Sequence, residues 1–133
     1  IVRAIAAISL IVGAVGIANT MYTSVLERTR EIGIMKAIGA QNKDILIIFL
    51  IESGLLGLVG GIIGAVIGLS MAIGISTLAG SVLGGIDLIV KVSWPLLFGA
   101  VAFSFIVGTL AGVLPAMQAS KLKPVEALRK WEQ

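Results

Sequence analysis

Three long stretches without a charged side chain constrain this sequence more than any other feature. Residues 4–26, 53–86 and 92–120 contain no Asp, Glu, Lys or Arg. A helix that crosses the hydrocarbon core of a bilayer needs about 20 consecutive apolar residues, and each stretch exceeds that length. A chain of 133 residues supplies too little polar surface to cover three such helices in water, and only 13% of its residues are charged. A membrane domain is therefore predicted.

The stretches predict an all-α membrane protein with three transmembrane helices and a short cytoplasmic helix between the first and second. We treat residues 1–133 as one domain, with spans at about 4–26, 45–79 and 95–117. The middle stretch would be about 51 Å long as a single helix. Because this exceeds the bilayer thickness, a break is expected near its glycines at positions 80, 84 and 85.

The end of the third span carries a proline. Pro115 is expected to kink this span, because proline cannot donate the backbone hydrogen bond of a helix interior. A short helix is expected over residues 124–131, lying along the membrane surface.

Basic residues are unevenly distributed between the ends of the spans. Eight of the ten follow the first or third span, whereas only Arg3 and Lys91 lie on the other side. The positive-inside rule predicts that residues 27–44 and the C-terminal tail, residues 118–133, are cytoplasmic. The N-terminus is then outside, in a plasma or inner membrane.

Small residues recur every four positions in the spans. Helices in lipid gain no hydrophobic energy by associating, so their packing depends on close backbone approach at such positions. We predict packing ridges in the second and third spans at Gly60, Gly64, Gly68, Ser104, Gly108 and Gly112. A second ridge, at Gly57, Gly61 and Ala65, runs beside the first, so the sequence leaves open which ridge faces another helix.

Residues for most kinds of catalytic site are missing. The chain has no Cys and no His, and Asp occurs only at positions 44 and 87, so neither a zinc site nor a nucleophile and base pair is readily assembled. The Gly-rich residues 54–68 lack the following Lys and Ser or Thr of a phosphate-binding loop. We predict no enzymatic activity, no metal or cofactor bound by this segment, and no nucleic-acid partner.

Glu52 is the one ionisable residue placed near or within a span. Carboxylates in lipid are costly and often serve ion or proton relays, so a stand-alone oligomeric pore or secondary carrier that uses Glu52 is one hypothesis. The alternative is a structural role at the interface, where Glu52 reaches water or a basic neighbour such as Arg28. A purely structural membrane anchor is a further hypothesis.

The connection after the first span, ERTREIGIMKAIGA at residues 27–40, mixes charged and apolar residues. On a helix it forms no single broad apolar face of the kind that lies on lipid. Small residues, an apolar knob and charges at the rim are typical of a surface that docks on another protein. The alternative is an ordinary connection between spans whose basic residues only follow the positive-inside rule. The candidate contact residues are Glu27, Arg28, Arg30, Glu31, Ile32, Gly33, Ile34, Met35, Lys36 and Ile38.

Two blocks of sequence resemble a known family. ERTREIGIMKAIGAQNKDIL and LPAMQASKLKPVEALR look like the C-terminal membrane domain of FtsX-like (MacB-like) ABC transporter permeases, and the resemblance covers essentially the whole chain. It implies that residues 27–40 are a coupling helix resting on a cytoplasmic ATPase, which binds ATP and magnesium. It also implies two permease copies, identical or different, in each transporter.

The resemblance leaves the outcome of the coupling open between export and force transmission, such as FtsX-type signalling to cell-wall hydrolases. It further implies an additional span and an outer domain upstream. The chain begins IVRAIAAISL, without an initiating methionine or the pattern of a signal peptide. We therefore expect a C-terminal segment of a longer protein.

Overall fold

A computed structural model describes residues 1–82 and 89–129, and within these ranges the chain is helical apart from short connections. α1, α3 and α4 are each long and apolar enough to cross a membrane. The predicted all-α class with three spans is therefore confirmed. The helices in the described ranges are α1 (Val2–Glu27), α2 (Thr29–Ala37), α3 (Asn42–Val82), α4 (Trp94–Ala111), α5 (Val113–Ser120) and α6 (Pro124–Arg129).

α3 is longer than the predicted second span. It runs without a break for 41 residues, which corresponds to about 60 Å, and it passes through Gly80. The break expected at this glycine is therefore absent, whereas Gly84 and Gly85 lie outside the described residues. A single glycine costs a helix only about 1 kcal/mol relative to alanine, which is too little to end a helix of this length.

The third span breaks at Gly112, between α4 and α5. Pro115 has no N–H to donate to the carbonyl of Ala111, and its ring crowds that carbonyl. The N–H of Gly112 is shared between the carbonyls of Gly108 at 3.1 Å and Thr109 at 3.2 Å. The disturbance predicted from Pro115 is seen as the break between α4 and α5, which falls about one turn before the proline, beside the Ala111 carbonyl that lost its hydrogen bond.

α3 and α4 form the most extensive helix contact, and their backbones touch where both carry glycine. A Cβ atom added at Gly108 would lie 2.7 Å from the Cα of Gly57, and one added at Gly61 would lie 2.6 Å from the Cβ of Ser104. Ser104 also donates its hydroxyl to the carbonyl of Gly57 at 2.6 Å. The crossing therefore joins Gly57 and Gly61 of α3 to Ser104 and Gly108 of α4. Farther along α4, Gly112 lies directly against Ser53.

The ridge of Gly60, Gly64 and Gly68 takes no part in this crossing. A Cβ atom added at any of these three positions would meet no atom of the described chain within 4 Å. Each residue turns a helix by about 100°, so Gly60 points away from α4 when its neighbour Gly61 faces it. For packing within the chain, the prediction is corrected to the neighbouring ridge in α3, while Ser104 and Gly108 of α4, and Gly112 just after it, lie in the contact.

Buried side chains are concentrated at one end of the bundle, which we call the α2 end. Here the C-terminal half of α1, the beginning of α3, α2 and α5 meet. At the opposite end, every residue from 1 to 13 of α1 is exposed within the described chain. Tertiary packing therefore holds α2 much more firmly than it holds the start of α1. The buried cluster contains Met21, Val25, Ile32, Ile45, Phe49, Ala116 and Ala119.

Substituting Gly57 with leucine should destabilise the bundle, because the backbone of Gly108 cannot move aside as a flexible side chain would. We expect a loss of about 1–3 kcal/mol in the free energy of unfolding. Gly64→Leu is the matched control, because its new side chain enters open space, and its effect should stay within about 0.5 kcal/mol. Titrating the full-length protein in mild detergent with a denaturing detergent measures both values. Equal losses would contradict the assignment of the ridges.

Candidate docking site on α2

α2 is a separate short helix between two long ones. It is nine residues long, and Arg28, with φ −97° and ψ 12°, separates it from α1. Gly39 ends it with φ 113°, a left-handed conformation that favours glycine. The Ala40 N–H donates to the carbonyl of Met35 at 3.0 Å and the Gly39 N–H to that of Lys36 at 3.1 Å, which is the Schellman pattern of a helix end. This helix occupies the middle of the predicted segment, residues 27–40.

One side of α2 is fixed to the interior of the chain. Thr29, Ile32 and Gly33 are buried, and Met35 packs against the buried cluster. The Thr29 hydroxyl donates to the carbonyl of Val25 at 2.9 Å, which ties the first turn of α2 to the end of α1. Ile32 and Gly33 therefore do not lie on a surface that a partner contacts, and the expectation is corrected for both. The Ile32 side chain fixes this side of α2 in the core, and Gly33, which has no side chain, lets the helix lie close against it.

The opposite side of α2 is open. Ile34 is 45% exposed and Ile38 is 83% exposed. The charged residues Glu27, Arg30 and Glu31 are exposed as well. Two isoleucines among three charges form an apolar centre with a charged rim, which is the usual composition of a protein docking surface. We call these five residues the open face of α2.

Arg28 and Glu52 form an ion pair between the start of α2 and α3. The Arg28 guanidinium donates to the Glu52 carboxylate at 3.3 Å, and the two side chains are 49% and 30% exposed. The pairing expected for an interfacial Glu52 is confirmed. Water screens a pair this exposed, so the pair contributes less than about 1 kcal/mol and serves mainly to define position.

Lys36 points away from the open face. Its ammonium group donates to the carbonyl of Ser120 and, at 2.7 Å, to the carbonyl of Leu122. Ser120 ends α5, where helix carbonyls lack the N–H partners of a helix interior. Burial removes water from the ammonium group and lowers the pKa of Lys36 from its ordinary value. Lys36 thus contacts the chain itself. Of the ten candidate contact residues, it has the hydrogen-bond partners that lie farthest away in sequence.

α6 completes the support of α2. It packs against α2 and buries Ala127 almost completely. The helix expected over residues 124–131 is present over Pro124–Arg129, and residues 130 and 131 lie outside the described residues. Its position along the membrane surface stays a prediction. α6 follows Leu122, which packs on the buried cluster, so the chain is already directed toward α2.

Sequence reasoning missed the inward contact of Lys36. One signal was available: Lys36 lies four residues after Ile32, and residues four apart share a helix face. A lysine on the same face as a buried isoleucine must either extend past the core or find acceptors within it. Nothing in the sequence indicated that these acceptors would be backbone carbonyls 84 and 86 residues farther along the chain.

The fold and this site define a class of protein: a multi-pass membrane domain whose first two spans are joined by a short helix with one fixed and one open side. Residues 3–124 match the FtsX-like permease C-terminal family. The chain belongs to that family.

Several related proteins resemble nearly the whole chain, which spans less than a third of the length of each. It is 52% identical over 94% of its length to an ABC transporter permease of Methanocaldococcus jannaschii, and spans 31% of that protein. It is 47% identical over 97% of its length to the macrolide export ATP-binding/permease protein MacB of Bdellovibrio bacteriovorus, and spans 19% of it. For the pyoverdine export ATP-binding/permease protein PvdT of Pseudomonas entomophila, the identity is 46% over 94% of the chain, which spans 18% of that protein.

A double-mutant cycle on Arg28→Met and Glu52→Gln should give a small coupling energy. We expect about 0.5 kcal/mol, decreasing in high salt, because both side chains are partly exposed to solvent. The free energy of unfolding of the full-length protein in detergent is measured for wild type, for each single variant and for the double variant. A coupling energy of about 2 kcal/mol or more would show that the pair is shielded from water, contrary to the exposure seen here.

Proposed function

We propose that this segment is the part of an ABC transporter permease through which a cytoplasmic ATPase moves the membrane helices, with α2 as the coupling helix. One observation carries the proposal: Ile34 and Ile38 stay exposed on a helix whose other side is locked into the core. Leaving two isoleucines in water is unfavourable by about 25 cal/mol for each Å² of apolar surface, so a partner that covers them gains this energy.

The fixed side of α2 supports the same role. A helix that only docks needs no rigid support, whereas a helix that transmits displacement must not rotate in its seat. Ile32 lies in one cluster with Met21 of α1 and Ile45 of α3. Because a packed core resists compression, closure of an ATPase dimer against the open face displaces these spans together with α2. ATP and magnesium belong to the ATPase in this mechanism.

The relatives support a role that is independent of cargo. Two of them are named for macrolide export and pyoverdine export, yet this chain resembles both to a similar extent over nearly all of its length. A segment that recognised cargo would be expected to differ more between them. We therefore assign the segment to the coupling step, which serves export or other work outside the membrane.

The proposal includes an orientation and an assembly. The α2 end faces the cytoplasm, in keeping with the positive-inside rule, and the N-terminus of the segment lies outside. Two permease copies, identical or different, present one open face each to the two halves of an ATPase dimer.

A pore or carrier based on Glu52 is not favoured by its surroundings. Its carboxylate accepts a hydrogen bond from Arg28, so it belongs to a partly exposed ion pair and is not an isolated carboxylate within a span. We expect Glu52→Gln in the full-length transporter to keep ATP-driven activity within about twofold of wild type, because the exposed pair contributes little. Abolition of transport by this substitution, measured in proteoliposomes, would instead favour the carrier hypothesis.

Charge reversal on the open face should weaken the ATPase interaction. We expect Arg30→Glu to reduce the affinity of the full-length permease for its ATPase by about tenfold, and Ile38→Asp to reduce it further because it removes apolar contact. Both residues are exposed, so folding should be retained. Co-purification and permease-dependent ATP hydrolysis measure the effect.

Lys91→Glu is the matched control for Arg30→Glu. It makes the same change in charge at an exposed position beside the start of α4, at the opposite end of the bundle. This variant should bind the ATPase as wild type does. If the Arg30→Glu and Ile38→Asp variants both bound the ATPase with wild-type affinity, the assignment of α2 as the coupling helix would be wrong.

A further inference from the structure

The contact made by Lys36 is not explained by docking, because it lies on the side of α2 away from the open face. Its ammonium group joins α2 to the carbonyl of Ser120 at the end of α5 and to that of Leu122 just beyond it. These residues follow the last span, whereas α2 is covalently connected only to α1 and α3. The contact therefore links α2 to the one span that is not its neighbour in sequence.

We propose that Lys36 is a positioning residue that makes the last span follow α2 when α2 is displaced. The proposal rests on the proposed function, in which an ATPase moves α2, and it adds a route for that movement. Displacement reaches the first two spans of the segment through the chain, and it reaches the end of α5 directly through Lys36, in addition to the contact of α2 with α6.

The acceptors suit a link of this kind. The carbonyls at the end of a helix carry partial negative charge and have no intrahelical partner, so an ammonium group binds there favourably. In the last turn of α5 the carbonyls of Met117 and Ala119 already accept from the N–H groups of Lys121 and Leu122. Lys36 adds a partner for the carbonyl of Ser120, so the end of α5 is held by α2 and not only by its own helix.

The surroundings of α5 make the link effective. Ala116 and Ala119 of α5 are buried in the same cluster as Ile32 of α2, so the two helices share a core. α5 packs mainly against α3 and α1, and it is set off from α4 at Gly112, shortly before Pro115, which has no N–H for the carbonyl of Ala111. The hydrogen bonds from Lys36 therefore join α2 directly to a helix whose hydrogen bonding to α4 is incomplete.

Packing alone would resist compression of α2 against α5, but it resists separation poorly because dispersion contacts are short-ranged. Two charge-assisted hydrogen bonds resist separation and sliding as well. Lys36 is therefore expected to matter most on the stroke that pulls α2 away from α5.

The test uses the full-length permease with its ATPase, and a spin label at the exposed position Leu114 of α5 in each of the two permease copies, so that the distance reports the movement of α5. In wild type, the distance between the labels should change when a non-hydrolysable ATP analogue is added. In Lys36→Met this change should fall by at least half, and transport for each ATP hydrolysed should fall about five- to tenfold. Affinity for the ATPase should stay at the wild-type value, because Lys36 is not on the open face.

Two variants control for a merely structural role. Lys36→Arg, whose guanidinium can donate to both carbonyls, should recover most of the distance change and of the coupled transport. Lys43→Met makes the same chemical change at an exposed lysine at the start of α3 and should behave as wild type. Recovery by arginine would not be expected if methionine acted only by disturbing the core.

The possible failures are distinct. If wild type neither binds the ATPase nor shows a distance change with nucleotide, the proposed function itself fails. If wild type shows the change and Lys36→Met shows it equally, at normal ATPase affinity, only the role of Lys36 is overturned.

Discussion

Helices in a bilayer gain little by hiding apolar side chains from one another, because the lipid around them is just as apolar. This constraint governs the whole structure. The chain meets it in two ways: by direct backbone contact at Gly57 and Gly108, and by a compact cluster where the four elements of the α2 end converge. Between these contacts much of the helix surface faces outward, as α1 shows over residues 1–13. Rigidity is thus local, and it is greatest beside α2.

The rigid support beneath α2 determines whether a displacement applied to its open face is absorbed or transmitted. A displacement applied to a loosely held helix would be absorbed by rotation or by bending of its connections. Here Ile32 fills the core, the Thr29 hydroxyl ties the first turn to α1, and the Schellman motif at Gly39 defines the last turn. In the proposed function, residues 27–39 therefore combine a docking surface with a fixed support, and neither property is useful for transmitting force without the other.

The main features of the fold were predictable from the sequence because they follow from charge and from single residues. The three charge-free stretches predicted α1, α3 and α4, and Pro115 predicted a disturbance of the last span, which is the break at Gly112. The features that were not predicted depend on tertiary packing. Gly60 and Gly61 are chemically alike, so only the packed structure shows that Gly61 faces α4. For α2, the mixed surface was visible in the sequence, but the direction of Ile32 and Lys36 depends on α5 and α6, which lie far along the chain.

In the proposed function, the connections of α2 carry its displacement to both neighbouring spans. α2 is joined to α1 through the single residue Arg28 and to α3 through a short turn that contains Gly39. α3 continues from that turn as one helix of 41 residues. A helix cannot shorten without breaking its backbone hydrogen bonds, so displacement of its first turn moves its far end. The hydrogen bonds from α2 to the end of α5 bring the remaining span into the same framework, so that the proposed displacement of α2 acts on all three spans.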